Sequence, residues 1–251
     1  MKGVEEVTEW LASARRIGVL TGAGISTDSG IPDFRGPQGL WTKDPASQRL
    51  FTLRAYVADP QLRVEAWQRR LAHDTWTAVP NAGHLALAEL EQTGRVEAIV
   101  TQNIDGLHQR AGSSPQVVVE IHGTIWQVEC LGCDRRTPMQ ATLDRVRAGE
   151  ADPPCLACGG LLKSATVSFG QSLVPAVLHR AQQAAQSCDL FLAVGTSLTV
   201  QPAAGLCRVA QGSGARLVIL NAEPTPYDDR ADAVLRDPIS TVLPQLVAAA
   251  G

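Results

Sequence analysis

Apolar positions along the chain fall into two periodicities. Val4, Val7, Leu11 and Ala14 recur at helical spacing, with Glu5 and Glu6 opening the segment and Arg15 and Arg16 in its expected last turn. That charge order complements a helix dipole. Ile17-Gly18-Val19-Leu20 follows as an unbroken apolar run and ends in a cluster of glycines. Further strand-like runs return at 96–100 (interrupted by Glu97), 117–119, 165–169 (interrupted by Thr166 and Ser168), 190–194 and 217–220, and helical stretches occupy 85–91, 174–186 and 203–211. Continuous apolar runs alternating with helices predict a parallel α/β sheet covered on both faces. In such sheets ligands bind at the polar, glycine-rich turns that follow the strands.

Two segments depart from this alternation. Residues 37–80 are rich in Trp, Arg and Gln and read as helical and irregular, and 125–164 carry four of the six cysteines. The chain shows no internal repeat and no low-complexity tract. Its 251 residues, 45% hydrophobic and 19% charged, describe a globular protein with ample core. A net charge of −3 offers no basic excess to collect phosphates, which argues against direct nucleic-acid binding. The least charged stretch, 190–207, contains Thr196, Ser197, Thr199, Gln201 and Pro202, too polar for a span of about 20 apolar residues. Early acids and no apolar leader at the N-terminus imply a cytoplasmic location, with no membrane partner. Cysteines in a reducing compartment are metal ligands or buried thiols before they are disulfides.

Three places carry chemistry. The first is Thr21-Gly22-Ala23-Gly24-Ile25-Ser26, after the first strand. Glycines there let backbone N–H groups approach a pyrophosphate, although a tight turn holding two glycines reads the same way. Thr27 stands where G-x-G-x-x-G needs its third glycine, which argues against an ordinary hydride-transfer dehydrogenase. The loop that follows sets Phe34 between Asp33 and Arg35, an apolar ring able to cover a cofactor and exclude water.

The second is the cysteine set. Cys130-x-x-Cys133 and Cys155-x-x-Cys158, with 21 residues between the pairs, fit one tetrahedral zinc. Unrelated pairs or a redox dithiol are the alternatives, but Gly132, Gly159 and Gly160 supply the turns that metal knuckles need. Four protein ligands leave no open position, so the zinc is expected to be structural. Cys188 and Cys207 fall in sheet and helix patterns and read as buried thiols. The third is His122, at a strand end before Gly123, where a neutral imidazole suits a general base. Without the surrounding motifs it would read as a hydrogen-bonded core residue. His73, His84, His108 and His179 have no comparable case.

Gly22-Ala23-Gly24-Ile25-Ser26 together with Gly30-Ile31-Pro32-Asp33-Phe34-Arg35-Gly36 resembles the sirtuins, NAD-dependent protein lysine deacylases. Five more blocks agree in order: Thr101-Gln102-Asn103-Ile104-Asp105-Gly106-Leu107-His108, His122-Gly123, the paired cysteines, Val167-Ser168-Phe169-Gly170, and Gly195-Thr196-Ser197-Leu198. The resemblance implies a single catalytic unit over 1–251. Its Rossmann-like parallel-sheet core would comprise 1–36, 81–124 and 165–251. A smaller inserted domain would combine a helical part, 37–80, with a zinc-ribbon part, 125–164.

The implied reaction removes an acyl group, acetyl first, from lysine side chains of proteins. The acyl oxygen captures C1′ of the NAD ribose as nicotinamide leaves, and His122 activates a ribose hydroxyl that attacks the resulting imidate. Water then yields free lysine and O-acyl-ADP-ribose. Asn103 joins His122 as catalytic. Gly22, Ala23, Gly24, Ser26, Asp33, Phe34, Arg35 and Trp41 would hold NAD from the first turn and loop. Gln102, Asn103, Ile104 and Asp105 would form the nicotinamide pocket, with Gln102 reaching the ribose. On residue type alone, Asp105 also reads as a helix N-cap. Gly195, Thr196 and Ser197 suit phosphate or ribose. Asn221, Ala222 and Glu223 suit the adenosine ribose, and Ile239 the adenine, although Asp237 stands where the family usually has glycine.

Acylated peptide would meet Val167, Phe169 and Gly170, pairing with the edge of an apolar strand, with the Val167 carbonyl accepting the amide N–H. Gln171 replaces the acid the family often has there, and Lys163-Ser164-Ala165 replaces a basic residue followed by proline. Sirtuins that prefer acidic acyl chains carry Tyr-x-x-Arg in the first insertion, and here Trp67-Gln68-Arg69-Arg70 stands instead. Trp67 and Arg70 are thus candidate acyl contacts, with desuccinylation open as an alternative. Arg69 and Arg70 read equally as a solvated helix face. Two further functions share these residues: ADP-ribose transfer to a protein, and NAD sensing by a zinc-ribbon scaffold without turnover. An intact His122 and Asn103 count against the scaffold.

Overall fold

Residues 3–250 are described by a computed structural model. Its helices are α1 (Val4–Ser13), α2 (Leu40–Lys43), α3 (Leu53–Ala58), α4 (Pro60–Leu71), α5 (Ala82–Gln92), α6 (Leu107–Arg110), α7 (Met139–Arg147), α8 (Pro175–Ser187), α9 (Leu206–Gly212) and α10 (Ile239–Ala250). Its strands are β1 (Ile17–Thr21), β2 (Val96–Thr101), β3 (Val118–Glu120), β4 (Gly123–Cys130), β5 (Arg136–Pro138), β6 (Leu162–Thr166), β7 (Leu190–Val194), β8 (Arg216–Leu220) and β9 (Ala233–Leu235). A six-stranded parallel sheet runs in the order β3-β2-β1-β7-β8-β9. A three-stranded antiparallel sheet runs β5-β4-β6.

The unbroken apolar runs follow from burial on both faces of the large sheet. Ile17, Val19, Leu190, Leu192, Val194, Val218 and Leu220 pack with Val7 and Leu11 of α1, Leu87 and Leu90 of α5, and Leu243 and Leu246 of α10. Their neighbours in sequence, among them Leu20, Phe191, Ala193, Leu217 and Ile219, pack on the other side with Ala181 and Ala185 of α8 and Cys207 and Ala210 of α9. Each fully buried large aliphatic contributes about 1.5–3 kcal/mol. Cys188 and Cys207 lie inside the second layer, where burial pushes their thiols up to about 11 and about 12.

Trp67 of α4, Ile125 and Val128 of β4, Leu162 of β6, and Met139, Leu143 and Val146 of α7 form a separate core under the small sheet. Lys163 of β6, paired across the strands with Glu129, is almost wholly buried, and three oxygens accept from its Nζ: Glu129 Oε1 at 3.0 Å, Ser164 O at 2.9 Å and Thr166 O at 2.5 Å. Burying an ammonium without such acceptors would be prohibitive.

Two expectations are corrected. α1 stops at Ser13, so Arg15 and Arg16 lie beyond its last turn. The Asp189 carboxylate accepts from the backbone N–H of both arginines, which pulls the chain out of the helix toward the start of β7. The apolar run 165–169 is not a strand of the parallel sheet, because β6 ends at Thr166 and pairs antiparallel with β4. Phe169 lies beyond it, with its N–H on the Phe51 carbonyl and its own carbonyl accepting from Leu53. Both of its backbone groups are therefore taken, which removes the free edge expected at that residue.

Strand order reverses between β1 and β7, which opens a crevice beyond their C-terminal ends. The loops there touch backbone to backbone: Gly22 N–H donates to the Val194 carbonyl at 3.0 Å and Gly24 N–H to the Gly195 carbonyl at 2.8 Å. A Cβ on Gly22 would come within 2.7 Å of the Gly195 carbonyl oxygen, and one on Gly24 within 2.8 Å of Gly195 Cα. Gly195 has φ +62°, and a Cβ there would run into the Ile25 nitrogen. Replacing Gly195 by Ala adds a left-handed φ penalty to a backbone overlap. The expected loss is more than about 2 kcal/mol, read by urea unfolding, whereas Gly212→Ala, in open space, should be close to neutral.

Candidate active site

The loop after β2 is built as a hydrogen-bond chain. Asn103 Nδ2 donates to the Gly22 carbonyl and to Ser26 Oγ, each at 3.1 Å. Ser26 Oγ donates to Asp105 Oδ2 at 2.8 Å, and Asp105 Oδ1 accepts from Leu107 N–H at 2.9 Å. Asp105 thus serves the start of α6 and the buried network together. Ser26, Asn103 and Asp105 are all buried. Because the Asn103 nitrogen is spent on the protein, Oδ1 is the atom it offers to a ligand.

His122 Nδ1 lies 3.1 Å from the Gln102 carbonyl. A carbonyl only accepts, so Nδ1 carries the hydrogen and Nε2 keeps a free lone pair. Burial lowers the His122 pKa, with the Gln102 carbonyl opposing, so the ring stays neutral at pH 7. The Gln102 side chain spans the crevice to Thr196 Oγ1 at 2.9 Å, joining the β2 and β7 loops. Ser197 Oγ pairs with Thr199 Oγ1 at 2.9 Å.

Two buried histidines lie beneath this network: His108, which ends the family-like block 101–108, and His84, which the sequence does not single out. His84 Nδ1 accepts from Asn81 N–H at 3.4 Å, so its Nε2–H points to Ser26 Oγ, also at 3.4 Å. The available signal is Asn81-x-x-His84, a capping box with His in place of the usual Glu or Gln. His108 Nε2 meets Thr21 Oγ1 at 2.9 Å, and Thr21 donates to Thr101 Oγ1 at 2.8 Å. Burial lowers His84 to about 4 and His108 to about 3, the latter helped by His84, whose ring is 5.1 Å away.

The loop at 33–41 closes on itself, with Leu40 N–H on the Asp33 carbonyl, Trp41 N–H on the Phe34 carbonyl, and Asp33 Oδ1 accepting from Gly36. Phe34 packs on Trp41 at 4.8 Å, Arg35 lies 4.5 Å above the same indole, and Trp41 reaches Phe169 at 5.6 Å. Trp41 Nε1 is shut off from solvent without a partner. An orphaned donor beside a guanidinium suits a ligand rich in phosphate and hydroxyl oxygens, so this loop fits a dinucleotide.

The other predicted residues sit around this centre. Ile104 accepts on its carbonyl from Ile125 of β4. Asn221, at the end of β8, and Glu223 both give their carbonyls to Arg236 Nη1, which fixes the loop containing Ala222. Ile239 begins α10 and packs against the first core layer. Val167 donates its N–H to the His122 carbonyl at 2.8 Å, and Gly170 turns the chain with φ +84°.

Trp67 is fully buried under the small sheet, so its ring is a core element. Arg69 is exposed and pairs with Asp44 and Glu65. Arg70 departs from the solvated-face reading. It stacks 4.9 Å over Trp67, donates to Ser164 Oγ, and holds Nη1 away from solvent with no partner.

The Sγ atoms of Cys130, Cys133, Cys155 and Cys158 lie within 4.8 Å of one another. Tetrahedral Zn–S bonds of about 2.3 Å place sulfurs about 3.8 Å apart. The pairs Cys130–Cys158 and Cys133–Cys155 stand at 3.4 and 3.8 Å, and Gly132 and Gly160 donate N–H to sulfur, as thiolates favour. The set fits one structural zinc.

A profile of the Sir2 family matches residues 22–202. NAD-dependent protein deacetylase 2 of Streptomyces coelicolor is 53% identical over 235 residues, covering 94% of this chain and 98% of the relative. A structure solved for the mechanism and regulation of Sir2 enzymes superposes with TM-score 0.89 at 39% identity, covering 98% of this chain and 97% of that one. A Sir2 complex with a p53 peptide and NAD+ gives TM-score 0.88 at 34% identity, with 98% of each chain covered.

Two outcomes follow from the site. Purified protein should carry one zinc per chain by elemental analysis, and Cys155→Ser should lose it together with several degrees of melting temperature. His84 and His108 have folded pKa values of about 4 and about 3, below the ordinary 6.5, so the unfolded chain binds more protons in acid. Their stabilising contribution is complete above pH 6.5. It falls by about 1.4 kcal/mol per pH unit for each ring as pH drops toward the folded values. Urea unfolding at pH 7, 6 and 5 checks this, and a flat profile contradicts it.

Proposed function

The chain belongs to the Sir2 family, and on that footing we propose that it is an NAD-dependent protein-lysine deacetylase, releasing nicotinamide, O-acyl-ADP-ribose and free lysine. The observation that carries this reading is His122, with Nδ1 held by the Gln102 carbonyl and Nε2 left as the one basic nitrogen, immediately before β4 of the cysteine-bearing sheet. NAD supplies a sugar carbon whose leaving group is already cationic, so a poor nucleophile such as an amide oxygen suffices once it is held at about 3–3.5 Å. In this reading the Rossmann-like core, 1–36, 81–124 and 165–251, binds the dinucleotide. The unit formed by 37–80 and 125–164 closes over the acylated lysine.

Each residue then has a task in side-chain chemistry. His122 Nε2 takes the proton of a ribose hydroxyl. A pKa below the ordinary histidine range keeps it unprotonated, and so competent, through neutral pH. Asn103 Oδ1 faces the nicotinamide carboxamide while its nitrogen stays on Gly22 and Ser26, and Gln102 reaches the ribose. Asp105 holds the nicotinamide carboxamide. Gly22, Ala23, Gly24, Ser26, Gly195, Thr196 and Ser197 line the phosphates and ribose, and Arg35 with Phe34 and Trp41 covers them from the loop. Asn221, Ala222, Glu223 and Ile239 take the adenosine end. Val167 and Gly170 take the substrate peptide, an acylated lysine segment of a protein, and Phe169, whose backbone is already paired, offers its exposed ring. Among the described residues no helix is long and apolar enough to cross a membrane. The four thiolate ligands suit a reducing, cytoplasmic setting.

A second acyl class has one observation behind it, the unpartnered Arg70 Nη1, which an acyl carboxylate would satisfy. Mass spectrometry of acetyl-lysine peptide incubated with NAD tests the reading. The expected products are the free peptide and acetylated ADP-ribose, and a peptide that gains ADP-ribose instead would make the protein a transferase. His122→Ala should reduce deacetylation by about 10²–10⁴-fold while NAD still binds, and unchanged turnover would remove the base assignment. Run with succinyl-lysine, the same assay should show lower kcat/KM than with acetyl-lysine. Arg70→Met should depress the succinyl reaction more than the acetyl one.

A further inference from the structure

Trp126 is an exposed indole with an unusual seat. It sits on β4, the strand that ends at Cys130, and is 38% exposed although it packs against two elements. Its Nε1–H donates to the backbone carbonyl of Asp105 at 2.7 Å. The next residue is Gly106, with φ +73°, and a Cβ there would come within 2.7 Å of the same nitrogen. Glycine at that position therefore meets the left-handed backbone and makes room for the indole together. One residue back, Ile125 N–H donates to the Ile104 carbonyl at 3.0 Å, so two successive residues of β4 grip two successive carbonyls of the loop.

The far side of the indole is also fixed. Trp76 meets it edge-on at 5.2 Å, and Trp76 Nε1 donates to the Arg70 carbonyl at the end of α4 at 2.6 Å. A continuous contact thus runs from α4 through Trp76 and Trp126 to Asp105. All three Asp105 oxygens are then committed: one carboxylate oxygen to Ser26, the other to Leu107 N–H, and the carbonyl to Trp126. The first two bonds come from the large sheet and its own loop, and the third comes from the zinc-bearing sheet.

We propose that Trp126 is a positioning residue for the nicotinamide pocket: its indole N–H holds the Asp105 carbonyl, so the small sheet governs where the Asp105 carboxylate stands. This rests on the reading above, in which Asp105 meets nicotinamide. Trp126 touches no reacting atom. Its effect is confined to groups that depend on Asp105, namely NAD and free nicotinamide, and does not extend to the acylated peptide.

Trp126→Phe keeps a ring over Gly106 and removes only the donor. The expected result is a KM for NAD and a half-inhibitory nicotinamide concentration each raised by about 3- to 10-fold, the worth of one hydrogen bond. The kcat and the KM for acetyl-lysine peptide should stay near wild type, and the melting temperature should fall no further than in Trp76→Phe, which loses a bond of the same kind. Trp76→Phe, which removes a comparable N–H bond outside the loop, should leave the NAD and nicotinamide constants in place. Hydrogen–deuterium exchange over 103–108 is the readout that needs no turnover, and it should quicken in Trp126→Phe and not in Trp76→Phe.

Unchanged exchange and unchanged NAD and nicotinamide constants in Trp126→Phe would overturn the tether. Equal effects of both substitutions on the NAD and nicotinamide constants, or a peptide KM that rises in parallel with that of NAD, would reduce Trp126 to a general packing residue and overturn it as well. A wild-type protein that consumes no NAD would strike at the deacetylase reading, and the exchange comparison would still decide the tether.

Discussion

Gly22, Gly24 and Gly195 allow the loops after β1 and β7 to meet backbone to backbone, and the functional architecture is assembled on that contact. Side chains at these positions would hold the two loops apart. With hydrogen atoms there, Gly22 and Gly24 donate across the switch point of the sheet, and the Gly22 carbonyl remains to receive Asn103. Asn103 then orients Ser26, Ser26 orients Asp105, and Gln102 crosses to Thr196. A local steric permission becomes a polar network in which the Asn103 nitrogen, Ser26 Oγ and both Asp105 carboxylate oxygens have partners at normal hydrogen-bond distance.

The second layer of control is the small sheet. Four cysteines draw the ribbon together, and its core under Trp67 and Leu143 is separate from those of the large sheet. It reaches the crevice by hydrogen bonds from Ile125 and Trp126, and the loop at 33–41 reaches Phe169 through Trp41. The site is therefore held from two sides. A shift of the ribbon against the parallel sheet would move Asp105 and leave the glycine contact intact. Buried cations carry their own acceptors, as Lys163 does, or an incomplete set, as Arg70 does with Nη1 unpartnered.

Much of this is legible in the order of residues along the chain. Uninterrupted apolar runs announce strands buried on both faces, and paired C-x-x-C knuckles announce a closed metal site. Local ambiguity accounts for what is not. The run 165–169 alternates apolar residues with Thr166 and Ser168; its first two residues end β6, paired antiparallel with β4, and Phe169 is drawn instead to Phe51 and Leu53. Arg15 and Arg16 read as helix-ending cations because nothing nearby in sequence reveals Asp189. Arg70 sits at a surface-like helical position, and only the packing of Trp67 and Tyr56 encloses it. His84 reads as ordinary because its partner Ser26 lies 58 residues away.

Short-range rules therefore specified the sheet-and-helix alternation, the glycine turns and the metal knuckles, because each depends on spacing, φ or side-chain type within a few residues. The bond from Trp126 to Asp105, the tautomers of His122 and His84, and the burial of Arg70 arose from long-range folding. They require donors and acceptors from different elements to meet within about 3 Å, a distance that the pattern of residues along one segment does not encode.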